Sequence, residues 1–75
     1  MASATEQPKK FFLEHFTGNK EERVRAILLN IKTLSYTGPV EIHTDYQTIR
    51  FQVRNGQLAK SKSICSVADI LDSIE

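Results

Sequence analysis

The chain has one cysteine, no long apolar run and no marked excess of either charge among its 75 residues. A single cysteine excludes an intramolecular disulfide and the usual structural zinc site, and it predicts a reduced, cytoplasmic setting. No run approaches the roughly 20 apolar residues that cross a bilayer, so we expect no membrane contact. The opening stretch MASATEQPKK has no apolar segment, so we expect no secretory signal.

The charge balance and the glycine spacing exclude further classes of partner and cofactor site. Ten Lys and Arg residues against nine Asp and Glu residues give a formal net charge of +1. This balance excludes a strongly basic arm or an acidic tail, so overall charge favours neither polyanion nor polycation partners. The three glycines are isolated turn residues. They form neither a Gly-x-Gly-x-x-Gly motif nor a P-loop, and we expect no cofactor.

The length allows one small domain. Residues 1–8 are small and polar and end in proline, which predicts a frayed tail. Residues 9–75 then form a single α+β domain. Apolar residues make up 40% of the chain, an ordinary globular share.

Apolar residues at helical spacing predict two helices. Asn19, with Glu22 as its capping-box partner, begins a helix over 20–34, and Thr37-Gly38-Pro39 follows its end. Ser66 begins a second helix that runs to residue 74, with Asp69 near its positive end. The stripes that face the core are Val24, Ile27, Leu28, Ile31 and Leu34 in the first helix, and Val67, Ile70, Leu71 and Ile74 in the second.

Residues 9–16, KKFFLEHF, fit two local structures. A short helix from Pro8 puts Phe12, Leu13 and Phe16 on one side, and we favour it because proline suits the first helical turn. The alternative is a strand in which Phe12 and Phe16 share a face.

After Pro39 the apolar residues alternate, which predicts strands over 40–44 and 49–54 with a turn at 44–47. Asn55-Gly56 predicts a two-residue type I′ turn into a strand over 57–60. This turn pairs Arg54 with Gln57 and Val53 with Leu58, and it puts Lys60 beside Phe51. The predicted fold is α+β: a helix, a three-stranded antiparallel meander and a C-terminal helix, with both helices on one face of the sheet.

Catalytic and metal-binding residues are not expected. Cys65 is the only thiol, and we interpret it as a hydrophobic contact for Ile70 at the start of the last helix. His15 and His43 belong to different elements. His43 and Asp45 are close enough in sequence to share a ligand or a proton, but a metal site needs three or four ligands. We expect no enzyme.

The sheet surface that faces away from the helices is the candidate partner-binding face. Arg50, Gln52 and Arg54 alternate with apolar residues and therefore point outward together. Glu41 and His43 on the neighbouring strand give the face mixed charge, and Tyr46 lies in the adjoining turn. This mixture favours a protein partner with acidic groups.

The alternative partner for the same face is RNA or DNA, because Lys60 and Lys62 extend the basic cluster. Phe51 points inward, however, which leaves Tyr46 and Tyr36 as the aromatic side chains available for base stacking.

Two apolar residues have no place in the predicted core. Leu29 lies outside the apolar stripe of the first helix, and Phe11 lacks a partner if 9–16 is helical. Either the N-terminal segment covers Leu29, or both residues belong to a homodimer contact or another partner's site.

The stretches ILLNIKTLSYTGPVEI (27–42) and IRFQVRNGQL (49–58) combine an apolar helix, a strand and an Asn-Gly hairpin. This arrangement resembles the PatA amino-terminal domain family of bacterial signalling modules, in which an apolar helix leads into tGxLxI and a hairpin. VADILDSI (67–74) corresponds to a short helix of that family, whereas the polar run 60–63 departs from it. The resemblance implies a non-catalytic regulatory or protein-interaction module without a ligand site. The matching residues are Leu28, Leu29, Gly38, Val40, Ile42, Ile49, Phe51, Asn55, Gly56 and Leu58.

Overall fold

A computed structural model describes residues 8–60 and 63–74 of the chain. Of the predicted tail over 1–8, all but Pro8 lies outside the described residues, as do Ser61, Lys62 and Glu75. The elements in chain order are β1 (Lys9–Phe12), a 3-10 turn (Leu13–His15), α1 (Lys20–Leu34), β2 (Gly38–His43), β3 (Thr48–Arg54), β4 (Gln57–Leu58) and α2 (Val67–Ser73).

The strands form one mixed sheet in the order β1-β2-β3-β4. Strand β1 runs parallel to β2, whereas the pairs β2–β3 and β3–β4 are antiparallel. The α+β class is therefore confirmed. The prediction of a three-stranded antiparallel sheet is wrong, because it omits the fourth, parallel strand.

The predicted helix over 9–16 is also wrong, because its first half is strand β1. The backbone of Lys9–Phe12 pairs with the last four residues of β2, which places Phe11 beside Ile42 and Phe12 beside His43. Phe11 packs against the core in this register. The alternative, a strand in which Phe12 and Phe16 share a face, is correct for its first four residues only, because β1 ends at Phe12. Parallel pairing across α1 is non-local, so the local pattern of KKFFLEHF does not reveal it.

Helix α1 has the predicted bounds and the predicted N-cap. The Asn19 side chain accepts from the backbone N of Glu22 at 2.8 Å, and Glu22 accepts from the backbone N of Asn19 at 2.8 Å. Leu34, predicted for the core, is instead 58% exposed. Ser35 reverses the chain there in the left-handed conformation with φ 51°, and Tyr36 packs against the core.

The Asn55-Gly56 turn is confirmed in position and in register. Asn55 has φ 52° and Gly56 has φ 78°, the positive values that a type I′ turn needs. Val53 pairs with Leu58 and Arg54 with Gln57. Strand β4 ends at Leu58 rather than at residue 60, so the predicted pair of Lys60 with Phe51 does not form.

The hairpin is anchored on the loop between α1 and β2. The backbone N of Gly56 donates to the backbone oxygen of Tyr36 at 2.9 Å, and the backbone N of Asn55 donates to Thr37 Oγ1 at 2.9 Å. These bonds fix the hairpin against the end of α1.

Helix α2 begins at the predicted cap, where the Ser66 hydroxyl accepts from the backbone N of Asp69 at 3.3 Å. Lys20, at the start of α1, reaches the other end of α2. Its Nζ donates to the backbone oxygens of Leu71 at 3.5 Å and Ile74 at 3.3 Å. Such contacts satisfy carbonyl groups that a helix end leaves unpaired.

One core holds the elements together. The apolar sides of both helices and the inward side chains of the sheet belong to the same buried cluster, as predicted for helices on one face. None of the helices within 8–60 and 63–74 is long and apolar enough to cross a membrane. The buried core residues are Leu13, Val24, Ile27, Ile31, Val40, Ile42, Ile49, Phe51, Val53, Ile70 and Ile74.

Candidate functional site

The sheet surface opposite the helices carries most of the predicted site residues, and we call it the outer face. Strand β3 alternates buried and exposed residues without interruption, so Arg50, Gln52 and Arg54 are all exposed, as predicted. The strand register adds residues from β2 and β1 to the same side. The outer face comprises Lys10, Phe12, Glu41, His43, Arg50, Gln52 and Arg54.

Glu41 lies near the middle of the outer face and is only 8% exposed. It is flanked by Lys10 of β1 and by Arg50 of β3, because β2 is a central strand. Arg50 Nε donates to Glu41 Oε2 at 3.0 Å, and His43 Nε2 lies 2.9 Å from Glu41 Oε1. The hydrogen bond from Arg50, followed by that from His43, lowers the pKa of Glu41 below its ordinary value of 4.5.

His43 links this ion pair to the aromatic end of the face. With the proton on Nε2, His43 donates to Glu41, and its Nδ1 accepts from the Thr48 hydroxyl at 3.3 Å. The Phe12 ring stacks on the His43 ring with centroids 5.1 Å apart and planes 25° apart. Phe12 is 40% exposed, so this stacked pair presents an aromatic surface to solvent.

The internal ion pairs leave positive charge available on the outer face. Glu41 is the acidic residue of this set, and both Arg50 and His43 bind it. Neither Lys10 nor Arg54 has a carboxylate partner among the residues that the structure describes. Arg50 remains 73% exposed despite its ion pair, so its guanidinium group can still contact a second carboxylate.

Tyr46 lies at the end of the outer face and is 88% exposed. It occupies the predicted turn, which the backbone N of Thr44 closes by donating to the backbone oxygen of Gln47 at 2.9 Å. Together with Phe12 and His43, Tyr46 lines a cavity of about 200 Å³ beyond the ends of β1 and β2. The structure therefore places Tyr46 near His43, while the other predicted partner-binding residues do not line this cavity.

The two residues predicted for self-association are separated by the fold. Leu29 is 63% exposed, as expected for a residue outside the α1 stripe. Phe11 is half-buried on the inner side of β1, where its ring centroid lies 6.4 Å from that of Phe16. The assignment of Phe11 to a contact surface is thus corrected, since β1 gives it a place against the core. The described N-terminal segment forms the β1 edge and does not cover Leu29.

Cys65 differs from its predicted role. It is predicted as a hydrophobic contact for Ile70, whereas the structure shows an exposed residue whose thiol is hydrogen-bonded to a carboxylate. Its Sγ donates instead to Asp69 Oδ2 at 3.4 Å, and its backbone N donates to the same oxygen at 3.1 Å. The Asp69 carboxylate raises the pKa of the Cys65 thiol, and the bonds from Cys65 and Ser66 lower the pKa of Asp69. A raised thiol pKa reduces the reactive thiolate fraction at neutral pH.

His43 and Asp45 are residues that could share a ligand, and a solvated pair is the preferred interpretation of the sequence. In the structure His43 binds Glu41 and Thr48. Within 8–60 and 63–74, no group of three or more His, Cys, Asp or Glu residues is placed to hold a metal ion.

Sequence reasoning missed Lys10 and Phe12 as members of the outer face. Both were assigned to a helix, whereas in β1 they alternate with the inward Lys9 and Phe11. The period-2 alternation of KKFF was the available signal, but four residues are too few to distinguish it from one helical turn.

Comparisons with known proteins find no match to this chain. No protein-family model matches the chain, and neither a curated protein sequence nor a solved structure matches it. The resemblance to the PatA amino-terminal domain family stays a prediction.

Proposed function

We propose that this protein is a small, non-catalytic regulatory or adaptor module whose outer face binds a protein partner with acidic groups. The observation that carries the proposal is the pairing of Glu41 with both Arg50 and His43. With its buried acid neutralised internally, the face offers Lys10, Arg50 and Arg54 to carboxylates of a partner.

The rigidity of the platform supports protein recognition. Arg50 and Arg54 stand on β3, which has paired neighbours in β2 and β4. A fixed backbone reduces the conformational entropy lost when arginine side chains make bidentate contacts. Phe12 and Tyr46 add exposed aromatic area next to these charges, and aromatic residues and arginine are enriched at protein interfaces.

The resemblance to the PatA amino-terminal domain family suggests the setting of such a module, namely bacterial signalling in the cytoplasm. Those modules act through protein contact, which agrees with a function built on an exposed sheet face. This setting is part of the proposal.

A photo-crosslinking experiment tests the proposed face. A crosslinking amino acid at Gln52 should trap the partner in a lysate of the source organism, whereas the same group at the exposed Leu34 should not. The double variant Arg50→Ala with Arg54→Ala should abolish the crosslink from Gln52. Arg54→Ala alone should change folding stability by no more than about 0.5 kcal/mol, whereas Arg50→Ala also removes the partner of the buried Glu41 and should cost more. Thermal unfolding of the double variant therefore accompanies the crosslinking, and Arg54→Ala by itself should already weaken the crosslink.

Two results would contradict the proposed face. One is an undiminished crosslink from Gln52 in the double variant. The other is equal trapping from Gln52 and Leu34. Loss of the same partner with Arg25→Ala, an exposed arginine of α1, would place the contact on the helical side of the molecule instead.

A second candidate function is binding of single-stranded RNA or DNA by the same face. The stacking of exposed Phe12 on His43 favours it, because bases stack on aromatic side chains beside basic residues. Phe12→Ser should then weaken binding of a labelled oligonucleotide by about 1–3 kcal/mol, and affinity should fall steeply with salt. Nuclease-resistant crosslinking from Gln52 and a flat salt dependence would exclude this alternative.

A further inference from the structure

An open groove lies on the opposite side of the molecule from the outer face, and we call it the α1 groove. It runs between α1, the β3–β4 hairpin and the start of α2, and its volume is about 430 Å³. Its apolar lining comes from three elements. Leu28 and Leu29 belong to α1, Leu58 belongs to β4, and Val67 begins α2.

Leu29 gives the α1 groove an exposed apolar edge. Leu29 is 63% exposed, although Leu28, Leu58 and Val67 beside it are half-buried against the core. The groove therefore has an apolar floor that is continuous with the core, and the exposed Leu29 lies at its edge. Apolar concave surfaces of this kind bind the apolar side of an amphipathic segment.

The charges that border the α1 groove all have the same sign. Arg25, Lys32 and Lys60 line it, and none of its described lining residues is acidic. Two nearby carboxylates are already bound: Glu21 pairs with Arg25 at 2.9 Å, and Asp69 accepts from the backbone N of Cys65. The rim is thus basic, with Lys32 and Lys60 free of described ion pairs.

We infer that the α1 groove is a second docking site, which takes an acidic amphipathic segment of another protein. Apolar side chains of the segment would cover Leu29 and Leu58, and its carboxylates would meet the basic rim. A second copy of this chain fits less well. Two α1 grooves placed face to face would bring Lys32 and Lys60 of each copy against like charges, which disfavours association.

A synthetic peptide tests this inference with purified protein. The probe is an alanine-based peptide of about 16 residues, which favours a helix, with leucine at i, i+3, i+4 and i+7 and glutamate at the positions that flank the leucine side. We expect it to bind and to shift the amide resonances of Leu29, Leu58 and Val67. A matched peptide with lysine in place of glutamate should bind at least about tenfold more weakly.

The chain offers a matched pair of exposed leucines for the control. Leu29 and Leu34 both belong to α1 and are 63% and 58% exposed, but Leu34 does not line the groove. Leu29→Ser should weaken the glutamate peptide about tenfold, and Leu34→Ser by less than about twofold. Lys32→Glu should weaken the glutamate peptide, whereas Lys10→Glu on the outer face should not.

Several outcomes overturn the inference. These are no binding of the glutamate peptide at about 1 mM, equal effects of Leu29→Ser and Leu34→Ser, and a preference for the lysine peptide. Sedimentation that shows a dimer dissociated by Leu29→Ser would assign the groove to a second copy instead. If Arg50→Ala with Arg54→Ala abolishes peptide binding, the acidic ligand occupies the outer face. That result would exclude the α1 groove as the docking site and would leave the proposed function unchanged.

Discussion

Gly56 packs against the backbone of Lys32 so closely that an added Cβ would lie 2.8 Å from the Lys32 Cα. The same glycine has φ 78° and donates its backbone N–H to the Tyr36 oxygen at 2.9 Å. A side chain at this position therefore meets two separate penalties: the left-handed backbone, and a steric clash with the end of α1.

Gly56→Ala should lower the free energy of unfolding by more than about 1–2 kcal/mol, which is the cost of a left-handed backbone for an L-residue. Gly56→Val should cost more still, because a β-branched side chain fits a positive φ poorly. Urea denaturation gives both free energies of unfolding. Asn55→Gly, at the neighbouring position with φ 52°, is the control and should change stability by less than about 1 kcal/mol. A stable Gly56→Ala variant would contradict the close packing on Lys32.

The Glu41 ion pair should make folding stability depend on pH in the acidic range. Hydrogen bonds from Arg50 and His43 lower the folded-state pKa of Glu41 from 4.5. The stabilisation is therefore complete above about 4.5, the ordinary pKa, and is lost as the pH falls through the lower folded-state value.

Thermal unfolding of the wild type from pH 7 to pH 2 should show a Tm that falls below about pH 4.5. Glu41→Gln cannot titrate, so its Tm should be lower at neutral pH and should fall less steeply in acid. Asp69 titrates in both proteins and provides the common background. Parallel curves for the two proteins would show that Glu41 contributes no pH-dependent stability.

Cys65 should react slowly with alkylating agents although it is exposed. The Asp69 carboxylate accepts from its thiol and raises its pKa, so little thiolate exists at pH 7.5. Iodoacetamide should modify the folded protein more slowly than an unstructured peptide with one cysteine. Asp69→Asn should speed the reaction, and Cys65→Ala should leave partner binding unchanged. Rapid alkylation with loss of binding would instead mark Cys65 as a functional thiol.

Local signals in the sequence predicted much of this fold. The Asn19 cap, the apolar stripe of α1 from Val24 to Ile31 and the Asn55-Gly56 turn each depend on residues that are close in sequence, and each is confirmed. Strand β1 was missed because its partner, β2, follows only after the whole of α1. The intrinsic strand propensity of KKFF does not predict a strand whose stabilising contacts are so distant in the sequence.

The candidate site likewise combines features that local sequence predicts with features that depend on tertiary packing. The outward direction of Arg50, Gln52 and Arg54 follows from strand alternation alone. The burial of Glu41 does not, because it requires β1 on one side of β2 and Arg50 on the other. The shared groove of Leu29 and Leu58 likewise depends on tertiary packing.

The parallel pairing of β1 with β2 has a consequence for the order of assembly. Strands β2, β3 and β4 are joined by short connections and their pairing is local, whereas the pairing of β1 with β2 spans the whole of α1, so we expect it to form later. Until then β2 is an edge strand with Val40 and Ile42 on its core side, a template for aggregation. Glu41, between those residues, carries the charge that discourages a foreign strand from pairing there. We therefore expect the amides of β1 to exchange with deuterium before those of β3, and Glu41→Val to increase aggregation during refolding.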